Sequence, residues 1–159
     1  MTAAPSLRIA IEYPDGPDSA RWVELTDVGS RGSKRVRAAT LLDAQKRTAT
    51  ASDDVFVDLD VLVASSVSEA YDRYRRIRPG WQPGARVPSL VHPGTVDTLA
   101  GLLADIAVTG VADGVTLTSR DAEQLLDLIY GDLAERLAVH GTDVHFRPRD
   151  REQVVQRAS

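Results

Sequence analysis

Cysteine is absent from this sequence. That removes disulfides, thiolate metal sites and cysteine nucleophiles together. Histidine is scarce, with only His92, His140 and His145, so imidazole-rich chemistry is limited. His140 and His145 have no acidic or histidine partner at metal-ligand spacing. Lysine is nearly missing too: Lys34 and Lys46 stand alone, and arginine carries almost all the basic charge. No apolar run is long enough to span a bilayer, and Met1–Ser6 lacks a signal-peptide layout, so the expectation is a soluble, cytoplasmic protein with no membrane partner. A strong charge of one sign is absent as well. Nineteen basic and 23 acidic residues are interspersed for a net charge of −4, which argues against nucleic acid as a partner.

What the sequence does contain is an alternation of strand and helix patterns. Its 159 residues suffice for one domain with a real core. Leu7–Tyr13 alternates loosely and stops at Pro14-Asp15-Gly16-Pro17, which reads as a strand ended by a turn. Trp22–Thr26 is a second short strand, and a helix is expected from about Val36 to Arg47. The clearest strand is Val55–Val63, with Val55, Val57, Leu59, Val61 and Val63 on one face and Phe56, Asp58, Asp60 and Leu62 on the other. A helix capped by Ser66 or Ser68 follows and ends at Pro79-Gly80.

The proline-rich stretch from Pro79 to Pro93 reads as an irregular crossing loop carrying Trp81. A helix over 94–108 then buries Val96, Leu99, Leu102, Leu103 and Ile106. A strand around Val115 and Leu117 leads to a closing helix from about Ser119 to Ala138, capped by Thr118 or Ser119. The whole chain, 1–159, reads as a single α/β domain, with 142–159 a possible flexible C-terminal arm.

Three of these pieces, in order, resemble the late βα units of the luciferase-like flavin-dependent monooxygenases. Val55–Val63 with Ser68-Glu69-Ala70-Tyr71-Asp72-Arg73-Tyr74 is similar to a late strand and the helix behind it. Gly94-Thr95 with Asp97, Leu99 and Ala100 resembles the family's helix-start motif, and Gly110–Thr118 with Leu125–Leu137 resembles its last strand and terminal helix. A full TIM barrel takes about 250 residues. The resemblance therefore implies a partial (β/α) TIM-barrel-like domain of about four strands and four helices, related to the carboxyl-terminal half of the family. It further implies FMN or a deazaflavin at the carboxyl ends of the strands and an oxidoreductase role within an assembly. A partial barrel leaves edges and apolar surface exposed, so a homo-oligomer or a complex with a larger barrel subunit is expected. The alternative is a non-catalytic binding or scaffold subunit of the same lineage.

Candidate cofactor-binding residues are Arg31, Ser33, Lys34 and His92. The first three lie in Gly29-Ser30-Arg31-Gly32-Ser33-Lys34-Arg35, where hydroxyls, cations and exposed N–H groups at an expected helix start suit a phosphate; a solvated basic loop is the plainer reading. His92 precedes Pro93-Gly94 near another helix start. Asp58 and Asp60, about 7 Å apart by strand rise, can share a cation or work as an acid/base pair, or can simply meet solvent or a partner. Trp81, Tyr71 and Tyr74 can stack on a planar ring or anchor a loop. No catalytic residue and no metal site is assigned.

Overall fold

The computed structural model describes residues 4–14, 17, 19–29, 31–83 and 89–149. Strand β1 (Arg8–Pro14) places Ile9, Ile11 and Tyr13 on one face and Arg8, Ala10 and Glu12 on the other. It pairs antiparallel with β2 (Ala20–Glu24) and parallel with β6 (Gly114–Thr118). The long central strand β4 (Asp54–Val63) takes β6 along one edge. Its other edge is shared: β3 (Ser33–Val36) occupies the first half and β5 (Leu90–Gly94) the second. All pairings except β1 with β2 are parallel.

Helix α1 (Leu41–Thr50) connects β3 to β4, α2 (Val67–Ile77) connects β4 to β5, and α3 (Val96–Thr109) connects β5 to β6. The chain then runs through α4 (Ala122–Leu128), a π-type turn (Ile129–Leu133) and α5 (Ala134–Val139). Hydroxyl and carboxylate caps fix the starts: Thr40, Ser66, Thr95 and Asp121 each accept an N–H from three residues ahead. Thr95 and Thr98 cap each other reciprocally, and Gly110, at φ +70°, closes α3 in the left-handed conformation that glycine adopts without strain.

The two faces of the sheet differ. Ile9, Ile11, Val57, Leu59, Val115 and Leu117 form one core with Ala44 of α1, Leu99, Leu103 and Ile106 of α3, and Leu125, Ile129, Leu133 and Leu137 of the closing helical run. Ala70 and Tyr74 of α2 are also buried, yet they lie outside that core. The Tyr74 hydroxyl instead donates to Asp60, on the even-numbered face of β4. Helix α2 therefore packs on the opposite side of the sheet from α1 and α3. The right-handed crossover rule requires this arrangement, because β3 to β4 and β4 to β5 step in opposite directions across the sheet.

The α/β class expected from the sequence is present, with more elements than the four strands and four helices anticipated. In a (β/α) barrel consecutive strands are neighbours; here β6, not β5, lies beside β4 on its second edge. Two segments take a different form from the one their sequence predicts. Ser33–Val36 is a strand where a basic stretch leading into a helix from about Val36 is expected, and α1 begins only after the Thr40 cap. Ser33, Lys34 and Arg35 are exposed, so β3 is held by backbone pairing to β4 and by the buried Val36 rather than by an apolar face. Leu90–Gly94 is a strand inside the expected loop; Pro93 is tolerated because β5 lies at the sheet edge.

The described part of the expected C-terminal arm is tied down. The Asp143 N–H donates to Pro5, Leu7 N–H to Asp143, Asp27 N–H to His145 and Arg147 N–H to Leu25. Phe146 packs against Tyr130, with ring centres 5.3 Å apart. Residues 150–159 lie outside the described residues.

Candidate functional site

In open α/β sheets, ligands bind outside the carboxyl ends of the strands where neighbouring connections leave to opposite faces. In this chain that place is the end of β4 and β6, where α2 departs to one face and α4 to the other. A cleft of ≈ 700 Å³ opens there, between Asp60–Val63, the last turns of α2 and the Thr118–Gln124 segment. Its size falls within the roughly 300–1,000 Å³ of small-molecule sites.

Asp60 is half-buried in this cleft. Its two carboxylate oxygens accept hydrogen bonds from Tyr74 Oη and Thr118 Oγ1, both at 3.2 Å. Burial and the Asp60 charge push the Tyr74 phenol above its ordinary pKa, against the opposing effect of Arg78. Tyr74 is thus a neutral hydrogen-bond donor at physiological pH. Tyr74 also packs edge-on against Trp81, at 4.9 Å between ring centres, and Tyr71 does so at 5.6 Å. The aromatic set expected either to stack on a ligand or to anchor a loop makes the anchoring contact.

Arg76, Arg78 and Arg120 are exposed along the cleft. Among the described residues, none of the three is ion-paired with a carboxylate. Their neighbours differ: Arg73 pairs with Glu69 at 2.6 Å and Arg75 with Asp72 at 3.2 Å. Uncompensated guanidinium groups beside a concave surface attract an anion, and their fixed forks suit phosphate or carboxylate oxygens.

The rest of the even-numbered face is closed by ion pairs. Arg8 donates to Glu24 at 2.6 Å and to Asp54 at 3.1 Å, and its guanidinium lies over the Phe56 ring. Burial acts against the Glu24 charge, but hydrogen bonds from Arg8 and Thr26 outweigh it and hold the carboxyl below its ordinary range. Arg35 joins Asp58 at 2.7 Å to Glu12 at 3.1 Å, and Arg37 stands 3.7 Å from Asp58. Asp58 and Asp60 are therefore divided between an arginine network and a hydroxyl pair. No group of three or more metal-ligating side chains occurs among the described residues.

The four residues singled out from the sequence do not converge. Ser33 and Lys34 begin β3, where Lys34 is level with Val55 at the start of β4, and Arg31 pairs with Asp54 at 2.7 Å. His92 is level with Val61, six positions further along β4, or about 20 Å by strand rise. The basic loop leads into a strand, so the helix-start argument for a phosphate there does not apply. His92 does reach a helix start: its Nε2 lies 3.1 Å from Thr98 Oγ1, which also lies 3.0 Å from the Thr95 carbonyl oxygen. Burial lowers the His92 pKa. His145, from which no metal site is argued, meets Asp143 at 3.0 Å.

The residues that sequence reasoning missed are Arg76, Arg78, Arg120 and the hydroxyls of Tyr74 and Thr118. The available signal was positional: Arg120 lies two residues beyond β6, at the end of the sheet where α/β proteins place ligands. No helix among the described residues is long and apolar enough to cross a membrane. No protein-family model, curated protein or solved structure matches this chain.

Proposed function

We propose that this chain is a flavin-linked, luciferase-like oxidoreductase-related module that takes a phosphorylated flavin, FMN or a deazaflavin, in the cleft at the ends of β4 and β6. The observation that carries this reading is the set of arginines beside the cleft that, among the described residues, have no carboxylate partner. A flavin phosphate requires cationic and hydroxyl donors, which Arg76, Arg78, Arg120 and Ser119 supply. Its ring requires apolar surface with a few polar contacts, and Leu62, Val63 and Ile77 provide that surface beside Asp60. When bound, a reduced flavin supplies the electrons for oxygen or hydride chemistry. The protein's part is to hold the phosphate, position the ring and keep the Tyr74 proton in place.

Relation to the late βα units of a partial TIM barrel rests on the order of motifs from Val55 to Leu137. Assembly is part of the same reading. Strand β2 has no neighbour beyond β1 among the described residues, and Leu42, Val108 and Val139 are exposed. A second copy of the chain or a larger barrel subunit would cover such surface. One observation favours a non-catalytic binding or scaffold subunit instead: Glu24, Asp54 and Asp58 are all committed to arginines, which removes them as acid/base groups.

A fluorescence titration of the purified chain with FMN and then a deazaflavin, alongside native mass spectrometry, tests the proposal. Saturable binding with one flavin per chain supports it. A folded protein that binds neither contradicts it and leaves the scaffold reading.

A further inference from the structure

Strand β4 carries three carboxylates on the face that α2 partly covers, and they have different partners. Asp54 is paired with Arg8 and Arg31, and Asp58 with Arg35 and Arg37. Asp60 has hydroxyl partners only, and among the described residues no cation stands within ion-pair distance of it. Each of its oxygens uses one acceptor direction of two, so the carboxylate is held in place with capacity to spare. It lines the same cleft as Arg76, Arg78 and Arg120, which have no carboxylate partner among the described residues. A carboxylate held by hydroxyls with acceptor capacity to spare, in a cleft that also carries guanidinium groups, is complementary to a ligand with an acidic group and a separate N–H donor.

We infer that Asp60 is the specificity-determining acceptor of this cleft and selects ligands whose ring presents an N–H donor, such as the imide of a flavin, while the arginines take the phosphate. This rests on the flavin reading above. Tyr74 and Thr118 are positioning residues, since their hydroxyls fix the Asp60 carboxylate. A hydrogen bond from a neutral donor to a charged acceptor in such a site discriminates against the methylated analogue by roughly 10- to 100-fold.

The test compares the affinities of FMN and N3-methylated FMN, by fluorescence, for the wild-type chain, Asp60→Asn and Tyr74→Phe, with circular dichroism as the check on folding. The wild type is expected to prefer FMN by at least about tenfold, Asp60→Asn, whose amide oxygen accepts without a charge, to show a smaller preference, and Tyr74→Phe, which retains the carboxylate, to keep it. Equal affinity of the wild type for the two flavins overturns the inference and leaves the flavin reading standing. A preference undiminished in folded Asp60→Asn also overturns it, because removing the acceptor's charge then changes nothing. Absence of FMN binding to the folded wild type overturns both.

Discussion

The guanidinium of Arg8 lies 4.8 Å from the centre of the Phe56 ring while its nitrogens reach Glu24 and Asp54. One side chain thus ties β1 to β2 and β4, and only 6% of it is exposed. Replacing Arg8 with Met keeps the apolar contact and leaves Glu24 without its cation, while Asp54 keeps Arg31. Loss of one partner from a buried ion pair costs about 3–5 kcal/mol. Chemical denaturation of Arg8→Met is expected to show a loss of that order, and Arg8→Met/Glu24→Gln to recover part of it.

Gly114 makes the Arg8–Phe56 contact possible. A methyl group there would come within 2.9 Å of the Arg8 carbonyl oxygen and 2.8 Å of Phe56 Cε2. The carbonyl belongs to β1 and cannot move without breaking the β1–β6 pairing. Gly114→Ala is expected to destabilise by about 1–3 kcal/mol, read as a lower denaturation midpoint with an unchanged slope.

Acid stability follows from Glu24 and His92, both of which have depressed pKa values in the folded protein. A group of this kind contributes its full share of stability above its unfolded pKa, and that share is lost as pH falls through the folded value. The His92 contribution declines as pH drops below its ordinary 6.5, and the Glu24 contribution as pH drops below its ordinary 4.5. Melting temperature is expected to fall in two stages on acidification. His92→Gln should remove the upper stage; an unchanged profile in that variant would contradict the assignment.

The reciprocal cap of α3 is open to a direct test. Thr95 Oγ1 accepts the Thr98 N–H at 3.2 Å and Thr98 Oγ1 accepts the Thr95 N–H at 2.9 Å. Thr95→Ala is expected to cost about 0.5–2 kcal/mol, and Thr95→Ser to cost much less. Thermal denaturation of the pair separates the lost cap from the lost methyl group.

The parts of the fold that were legible in the sequence are those whose burial imposes a period. Val55–Val63 alternates because one side of β4 enters the core, and Leu99, Leu103 and Ile106 recur because α3 covers that core. Ser33–Val36 and Leu90–Gly94 were not legible as strands because edge pairing to β4 holds them, and edge pairing leaves little mark on side-chain type. The candidate site was harder still. Asp60 was visible as one of a carboxylate pair, but its separation from Asp58 depends on Arg35 and Tyr74, 25 and 14 residues away from it in the chain. Arg31 and Lys34 attracted notice as a basic cluster, whereas Arg76 and Arg78 at the end of α2 are distant in sequence from Arg120 and meet it only where the sheet reverses its winding.

The most direct test of the account is to titrate FMN into the wild-type chain, into the combined variant Arg76→Gln/Arg78→Gln/Arg120→Gln, and into Arg31→Ser/Lys34→Ser, at one low ionic strength. Loss of about tenfold or more in affinity is expected for the first variant, since each charge-assisted contact to phosphate is worth roughly 1.5–3 kcal/mol, with near wild-type affinity for the second. Undiminished binding by the folded triple variant, or a loss confined to Arg31→Ser/Lys34→Ser, would contradict the placement of the ligand at the ends of β4 and β6.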